Sequence, residues 1–253
     1  MIVLKNPQQL AIMRDAGRIS ADALAVAGKA IEPGITTAEI DRIVREFILK
    51  QGAKPSFLHY NGFPASACIS VNDVVIHGIP GHYRLQSGDI VSVDVGALYK
   101  GWQGDNAATF TCGEISPQAQ RLLDATRESL YAGIAAAKAG ARLGDIGSAV
   151  QKYAEERGFS VVRQFVGHGI GEKMHEEPDV PNYGKPGHGL RLVPGMVIAI
   201  EPMINQGGEA VKTMPDGWTV KTCDGKLSAH FENTVAITED GPVILTVPTQ
   251  EKL

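Results

Sequence analysis

The sequence predicts an α+β fold built from two similar halves, residues 1–115 and 116–253. Three observations predict it: two helices open each half, runs rich in branched residues typical of strands follow them, and polar positions of the first half recur in the second. We expect a single domain, residues 1–253, in which a pseudo-twofold arrangement sets two sheets side by side under the helices.

Four helices are expected from their end signals and apolar spacing. The start signals of the first three are Asn6-Pro7, the capping box from Thr36 to Glu39, and Ser116-Pro117. The fourth helix carries Ile146, Ala149, Val150 and Tyr153 at helical spacing. Gly52 ends the second helix and Gly158 ends the fourth. Each half therefore opens with two helices.

The polar positions after the helices repeat as well. The second and fourth helices match at an offset of 106, as in Gly34 with Gly140 and Gly52 with Gly158. The downstream pairs are His77-Gly78-Ile79 with His168-Gly169-Ile170, Gly88–Asp94 with Gly195–Glu201, and Asp105-Asn106 with Glu232-Asn233. Each half thus reads helix, helix, His-Gly-Ile, a strand that ends in a carboxylate, then an acid-Asn pair.

Composition and charge exclude several classes of protein. With 24 Lys and Arg against 28 Asp and Glu, the net charge of −4 provides no general attraction to nucleic acid or to a membrane surface. A chain of 253 residues buries enough surface to fold without disulfides. Cys68, Cys112 and Cys223 lack a C-x-x-C spacing and fit a reducing compartment. Without an 18-residue apolar run or a signal peptide, a cytoplasmic protein is expected.

Four acids at strand ends are the first candidate site. Asp94 and Glu201 each follow an apolar strand, and Asp105 and Glu232 are expected to open the strands Ala107–Thr111 and Thr234–Ile237. One such acid alone would be read as a carboxylate that caps a turn. Four acids in two symmetric pairs favour a metal site instead, because unpaired buried carboxylates repel each other and two divalent cations would balance their charge of −4.

The residue types limit which metal ions the site could bind. Carboxylates with an imidazole, here His168, suit Mn, Fe, Co or Zn. No Asp-x-Asp-x-Asp-Gly loop occurs, which excludes an EF-hand. The H-E-x-x-H helix of single-zinc proteases is absent too, because the stretch that begins at His175 has Pro178 near the place of a second histidine. A site with two divalent metal ions is therefore predicted.

Five stretches resemble the type I methionine aminopeptidases. They are Val71–Pro80, Asp94-Val95-Gly96 with Asp105, Gly167–Gly171 with His175, Glu201-Pro202, and Glu232-Asn233-Thr234. The resemblance covers essentially the whole chain and implies the pita-bread fold, with helix-helix-strand repeats around a central antiparallel sheet. The 25 residues between His175 and Glu201 leave no room for the helical insertion of type II relatives, which implies the short bacterial form.

The resemblance implies a mechanism and a role for each site residue. Its five metal ligands would be Asp94, Asp105, His168, Glu201 and Glu232, with Asp105 and Glu232 bridging. A hydroxide between the metals would attack the scissile carbonyl, and Glu201 would also carry the proton to the leaving amine. His175 would contact the carbonyl oxygen, and His77 would hydrogen-bond near the scissile amide.

The implied activity is removal of the initiator methionine from nascent proteins with a small second residue. N-terminal peptides of nascent chains would be its partners, with the ribosome a further candidate, and a monomer is expected. By resemblance, Tyr60, Phe63, Cys68 and Trp218 would wall the methionine pocket with His77 and His175, although their types alone fit an ordinary core. Met174 stands where relatives often have an aromatic residue.

Further residues match weaker patterns. Asn72, Val74 and Ser228 match a Na or K site of some relatives. The remaining histidines, His59, His82, His188 and His230, are expected at the surface, in loops or behind the site. His230 stands apart among them, because it lies two residues before Glu232 and could share its strand face.

Two other functions stay open. An X-Pro aminopeptidase or prolidase-like enzyme would share the ligands, but such relatives usually carry an extra N-terminal domain, and the first helix here begins near residue 7. A non-catalytic pita-bread peptide-binding protein would have lost ligands. This chain keeps all five ligand positions together with His77 and His175.

Overall fold

Four α-helices form within residues 2–249, the part of the chain that the computed structural model describes. They are α1 (Pro7–Ala30), α2 (Thr37–Lys50), α3 (Pro117–Ala136) and α4 (Leu143–Glu155). The expected caps begin the first three: the side chains of Asn6, Thr36 and Ser116 each accept a hydrogen bond from the backbone N–H three residues on. None of the described helices is long and apolar enough to cross a membrane.

The strands follow the helices in both halves. In chain order they are β1 (Lys54–Pro55), β2 (Ala67–Val71), β3 (Val74–Ile76), β4 (Ile90–Tyr99), β5 (Trp102–Thr111), β6 (Ser160–Val161), β7 (Gly167–Gly169), β8 (Glu176–Val180), β9 (Val197–Ile200), β10 (Met203–Asn205), β11 (Val211–Thr213), β12 (Val220–Thr222), β13 (Ser228–His230), β14 (Glu232–Thr238) and β15 (Gly241–Ile244). A short 3-10 turn, Tyr60–Gly62, precedes β2.

One nine-stranded antiparallel sheet joins the two halves. Its order is β1-β4-β5-β14-β9-β7-β8, with β2 beside β4 and β15 beside β14. The strands of the first half meet those of the second where β5 pairs with β14. There Asn106 lies opposite Asn233, which is its twin in the sequence repeat. The pseudo-twofold axis therefore passes between these two residues, and the two expected sheets are one continuous sheet.

The expected boundaries of the first-half strands were wrong. Asp94 does not end its strand and Asp105 does not open one, because β4 and β5 form a hairpin paired continuously from Ile90 with Thr111 to Tyr99 with Trp102. Both residues of its two-residue turn, Lys100 and Gly101, have positive φ, at 49° and 85°. This is the geometry of a type I′ turn, which matches the twist of the strands it joins. Both acids consequently project from the middle of long strands.

Each half has its own helix pair and apolar core. Ile40, Val44 and Ile48 of α2 pack with Val91 and Val93 of β4 in the first half. Leu130 of α3 and Ile146 of α4 pack with β9 in the second. The helices thus cover the outer face of the sheet.

The helix α1 packs closely against β5. A Cβ added to Gly104 would lie 2.4 Å from the backbone nitrogen of Gly17, so neither side can yield by rotating a side chain. We expect Gly104→Ala to lower the free energy of unfolding by ~1–3 kcal/mol or more, measured by urea denaturation. Gly208→Ala is the matched control, because a Cβ there would meet nothing within 4 Å. Equal stability of the two variants would contradict this packing.

Candidate active site

The four predicted acids meet at the centre of the sheet. Asp94 and Asp105 stand on the β4–β5 hairpin, Glu201 directly follows β9, and Glu232 begins β14. Asp105, His168 and Glu232 each place one ligand atom within 4.8 Å of the other two. The carboxyl groups of Asp94 and Asp105 lie close enough to share a proton. All these positions line one cavity of about 240 Å³.

It is energetically unfavourable for all four buried acids to be ionised without a cation beside them. Burial raises the pKa of Asp94 to about 7. Burial, followed by repulsion from neighbouring carboxylates, raises the pKa values of Asp105, Glu201 and Glu232 well above their usual range. Among these acids, the oxygens Asp94 Oδ1, Asp105 Oδ1 and Glu232 Oε1 are buried and have no hydrogen-bond partner within the described residues 2–249. A cation between them would satisfy these oxygens and their charge together.

His168 completes the fit to a cation. Its Nδ1 lies 2.8 Å from the carbonyl oxygen of Gly169, and because a carbonyl only accepts, Nδ1 carries the proton. The unprotonated Nε2 then points at Asp105 Oδ2, 3.8 Å away, and at Glu201 Oε1, 3.6 Å away. A lone pair that faces carboxylate oxygens is favourable when a proton or a metal cation lies between them. Burial keeps this ring neutral by lowering its pKa to about 3.

His175 borders the same cavity from the loop before β8. Its Nδ1 lies 2.8 Å from the hydroxyl of Tyr60. With the Tyr60 hydroxyl as the donor to Nδ1, Nε2 is the protonated nitrogen of the neutral ring. The loop is held by an ion pair of 2.7 Å between Lys5 and Glu176.

Aromatic and sulfur-containing side chains form the rest of the cavity wall. Phe63 and Trp218 meet edge to face with ring centroids 5.2 Å apart. Cys68 lies opposite Asp94 in the β2–β4 pairing, and burial raises its thiol pKa well above the usual value. The predicted residues Tyr60, Phe63, Cys68, His77, His175 and Trp218 all line the cavity, as do Phe57 and Asn61.

Met174 lies behind the wall rather than in it. It is buried in the apolar cluster that contains Phe57, Phe63 and Cys68, but it is not among the residues that line the cavity. Its terminal methyl would lie 2.7 Å from a Cβ at Gly96, so Met174 occupies space that a side chain at position 96 would need. Met174 stands where relatives often have an aromatic residue, and the absence of a side chain at Gly96 on β4 makes room for it.

The expected monovalent-cation residues are partly brought together. The backbone N–H of Ser228 donates to the carbonyl of Asn72 at 2.9 Å, and Asn72 has a positive φ of 56°. Val74 begins β3, the strand against which β13 lies. Asn72 Nδ2 donates to Asp89 at 2.8 Å.

One of the four remaining histidines lies at the site. His59, His82 and His188 are exposed, as expected, whereas His230 is buried at the site with its Nε2 3.8 Å from Glu201 Oε2. Its spacing of two from Glu232 was the available signal, because alternate residues of a strand share a face. A larger open cleft of about 630 Å³ adjoins the cavity and shares His168 and His175 with it.

Comparisons with known proteins agree with this site. Residues 11–239 match the model of metallopeptidase family M24. A methionine aminopeptidase of Clostridium perfringens is 56% identical over 98% of this chain and 99% of its own length. The crystal structure of methionine aminopeptidase from Thermotoga maritima superposes with a TM-score of 0.96 at 45% identity, covering 97% of this chain and 99% of that one.

The wider fold is shared with a prolidase. The structure of the prolidase from Pyrococcus horikoshii OT3 has a TM-score of 0.80 at 24% identity, covering all of this chain and 66% of that one, and this likeness shows the fold alone. The predicted pita-bread architecture is therefore confirmed. The matched family model and the full-length relatives show that the chain belongs to metallopeptidase family M24, within which it is similar to the methionine aminopeptidases.

Proposed function

We propose that this protein removes the N-terminal methionine from proteins, as a metal-dependent aminopeptidase. The observation that carries the proposal is the single cavity in which an apolar wall of aromatic and sulfur residues faces the buried acid cluster. Such a wall suits an unbranched thioether side chain. The full-length relatives named methionine aminopeptidase support the same substrate.

Two divalent ions, of Co, Mn, Fe or Zn, would be held by Asp94, Asp105, His168, Glu201 and Glu232. The unpartnered carboxylate oxygens and the aimed Nε2 of His168 fit that role. When bound, the ions would polarise the scissile carbonyl and lower the pKa of water. Asp105 and Glu232 stand on the paired central strands β5 and β14, each with a ligand atom within 4.8 Å of the other, and would be shared between the ions.

The protein's own side chains would position the peptide and transfer a proton from water to the leaving amine. Glu201 would take a proton from the attacking water and give it to the leaving amine. His175 would donate from Nε2 to the oxygen of the scissile carbonyl, because Tyr60 occupies its Nδ1. His77, kept neutral because burial lowers its pKa to about 4, would hydrogen-bond near the scissile amide.

The shape of the site would limit the substrate to free N-termini. A formylated amine could not ligate metal, so the formyl group of a bacterial nascent chain would have to leave first. We also propose a preference for a small second residue, since the cavity that would hold the scissile bond has a volume of only about 240 Å³. The residues of the substrate that follow the second one would lie in the adjoining cleft. We place this activity in the cytoplasm. A single domain, residues 1–253, would carry it as a monomer. A monovalent cation would bind near Asn72, Val74 and Ser228.

Three peptides test the activity. Metal-loaded protein should release methionine from Met-Ala-Ser, leave formyl-Met-Ala-Ser intact, and leave Ala-Pro-Ala intact. Cleavage of Ala-Pro-Ala in preference to Met-Ala-Ser would make the protein an X-Pro aminopeptidase. No cleavage of either peptide by metal-loaded protein would favour a non-catalytic peptide-binding role.

Selectivity for methionine is the next prediction. A branch and a missing sulfur change the fit in an apolar pocket by only ~1–3 kcal/mol, so Leu-Ala-Ser should have a kcat/KM ~10–200-fold below that of Met-Ala-Ser. Glu-Ala-Ser should be cleaved far less, because its charge would lose water without a partner. Trp218→Ala should narrow the gap between Met and Leu at unchanged metal content. Similar kcat/KM for all three peptides would contradict the pocket assignment.

A further inference from the structure

His230 is buried beside the acid cluster in a position that the proposed mechanism does not use. Its side chain is 2% exposed, and it ends β13 opposite Met203 of β10. Within residues 2–249 its Nε2 has no hydrogen-bond partner, although it lies 3.8 Å from Glu201 Oε2. Leaving a buried polar atom unpaired costs ~1–3 kcal/mol, so this placement requires a reason.

The sheet fixes the direction of the His230 side chain. The backbone N–H of His230 donates to the hydroxyl of Thr109 at 3.0 Å, and that hydroxyl lies 2.9 Å from the His230 carbonyl, to which it can donate. Thr109 stands on β5, the strand that also carries Asp105. His230 is therefore tied through its backbone to the strand at the centre of the site.

Glu201 lies between two imidazoles of different character. His168 Nε2 is 3.6 Å from Oε1 and carries no proton, because the proton of that ring is on Nδ1. His230 Nε2 is 3.8 Å from Oε2, and with the ring proton on Nε2 it is a donor toward that oxygen. Hydrogen bonds of catalytic groups are commonly long before the substrate binds and shorten in the complex. Oε1 of Glu201 thus faces His168 and the proposed metal site, and Oε2 is available to accept a hydrogen bond from His230.

We propose that His230 is a positioning residue for Glu201: it holds Oε2 by a hydrogen bond and so orients the carboxylate that carries the proton. The proposal rests on the proposed function, in which Glu201 transfers a proton between water and the leaving amine. The role of His230 is to keep one oxygen in place while the other oxygen serves the reaction. A donor at this position matters more than an imidazole as such.

Two substitutions separate a donor from a space-filling side chain. His230→Leu removes the N–H donor and fills its space with an apolar side chain. His230→Gln supplies an N–H donor from its side-chain amide. For Met-Ala-Ser, we expect His230→Leu to lower kcat ~10–100-fold with KM little changed, as is typical when a group behind a metal ligand is removed. His230→Gln should recover most of kcat. Metal content per chain and thermal unfolding are measured on the same samples, and exposed His82→Leu is the matched control.

Several outcomes would overturn the proposal. They are an unchanged kcat in His230→Leu, equal losses of kcat in both variants, and loss of metal from both variants, which would make His230 a ligand. If His230→Leu does not fold, His230→Met repeats the test with a more adaptable side chain that also lacks a donor. Wild-type protein that releases no methionine in this assay would instead contradict the proposed function, so the two failures are distinguishable.

Discussion

Asp105→Ala is expected to lose bound metal and to lower kcat/KM by ~10³-fold or more. The carboxylate of Asp105 is 3% exposed and adjoins Asp94, His168 and Glu201, so no water or neighbouring side chain can replace it. A Lewis-acid metal contributes several kcal/mol to transition-state stabilisation, and each ~1.4 kcal/mol is tenfold in rate. The measurements are metal per chain by mass spectrometry and turnover of Met-Ala-Ser.

The control for this variant is an acid outside the site. Asp124 lies on α3 and forms a half-exposed ion pair with Arg127 at 3.0 Å, which contributes little to stability. Asp124→Ala should keep wild-type metal content and rate. Wild-type metal content in Asp105→Ala would remove Asp105 from the ligand set and with it the bridging role.

His175→Ala is expected to lower kcat ~10²–10³-fold while metal content stays at the wild-type value, because one donor to a developing oxyanion typically contributes that much. With the Tyr60 hydroxyl donating to Nδ1 at 2.8 Å, Nε2 is the donor. Burial lowers the pKa of His175, so the donor is a neutral imidazole. His82→Ala, at an exposed position, is the matched control.

His175 stands close to a proposed ligand, with its ring centroid 4.3 Å from that of His168. Metal analysis therefore decides between two roles for His175. A variant that is slow but fully loaded supports the oxyanion donor. A variant that has lost metal would make His175 a ligand instead.

The helix starts and the repeat could be read from the sequence because both depend on local chemistry. Asn6, Thr36 and Ser116 cap helices where a side-chain oxygen can reach a free N–H three residues on. The paired Asn106 and Asn233 located the symmetry axis, since they face each other across β5 and β14. The candidate acids followed from the same repeat.

Features that depend on distant residues were harder to predict. The β4–β5 hairpin was missed because its turn, Lys100-Gly101, lacks the Asn-Gly or Asp-Gly pattern that most often marks a type I′ turn. The hydrogen bond that ties the backbone of His230 to Thr109 joins residues 121 positions apart in the chain. The fit of Met174 against Gly96 likewise joins residues from different halves. Such contacts arise only once the sheet has brought these strands together.

Metal removal tests the central claim most directly. Protein treated with a chelator and dialysed, with its metal content verified as zero, should not release methionine from Met-Ala-Ser, and addition of a divalent cation should restore release. The buried carboxylates of Asp94, Asp105, Glu201 and Glu232 are the reason, because we propose that they hold cations and do not act as a general acid and base alone. Full turnover by verified metal-free protein would contradict the account.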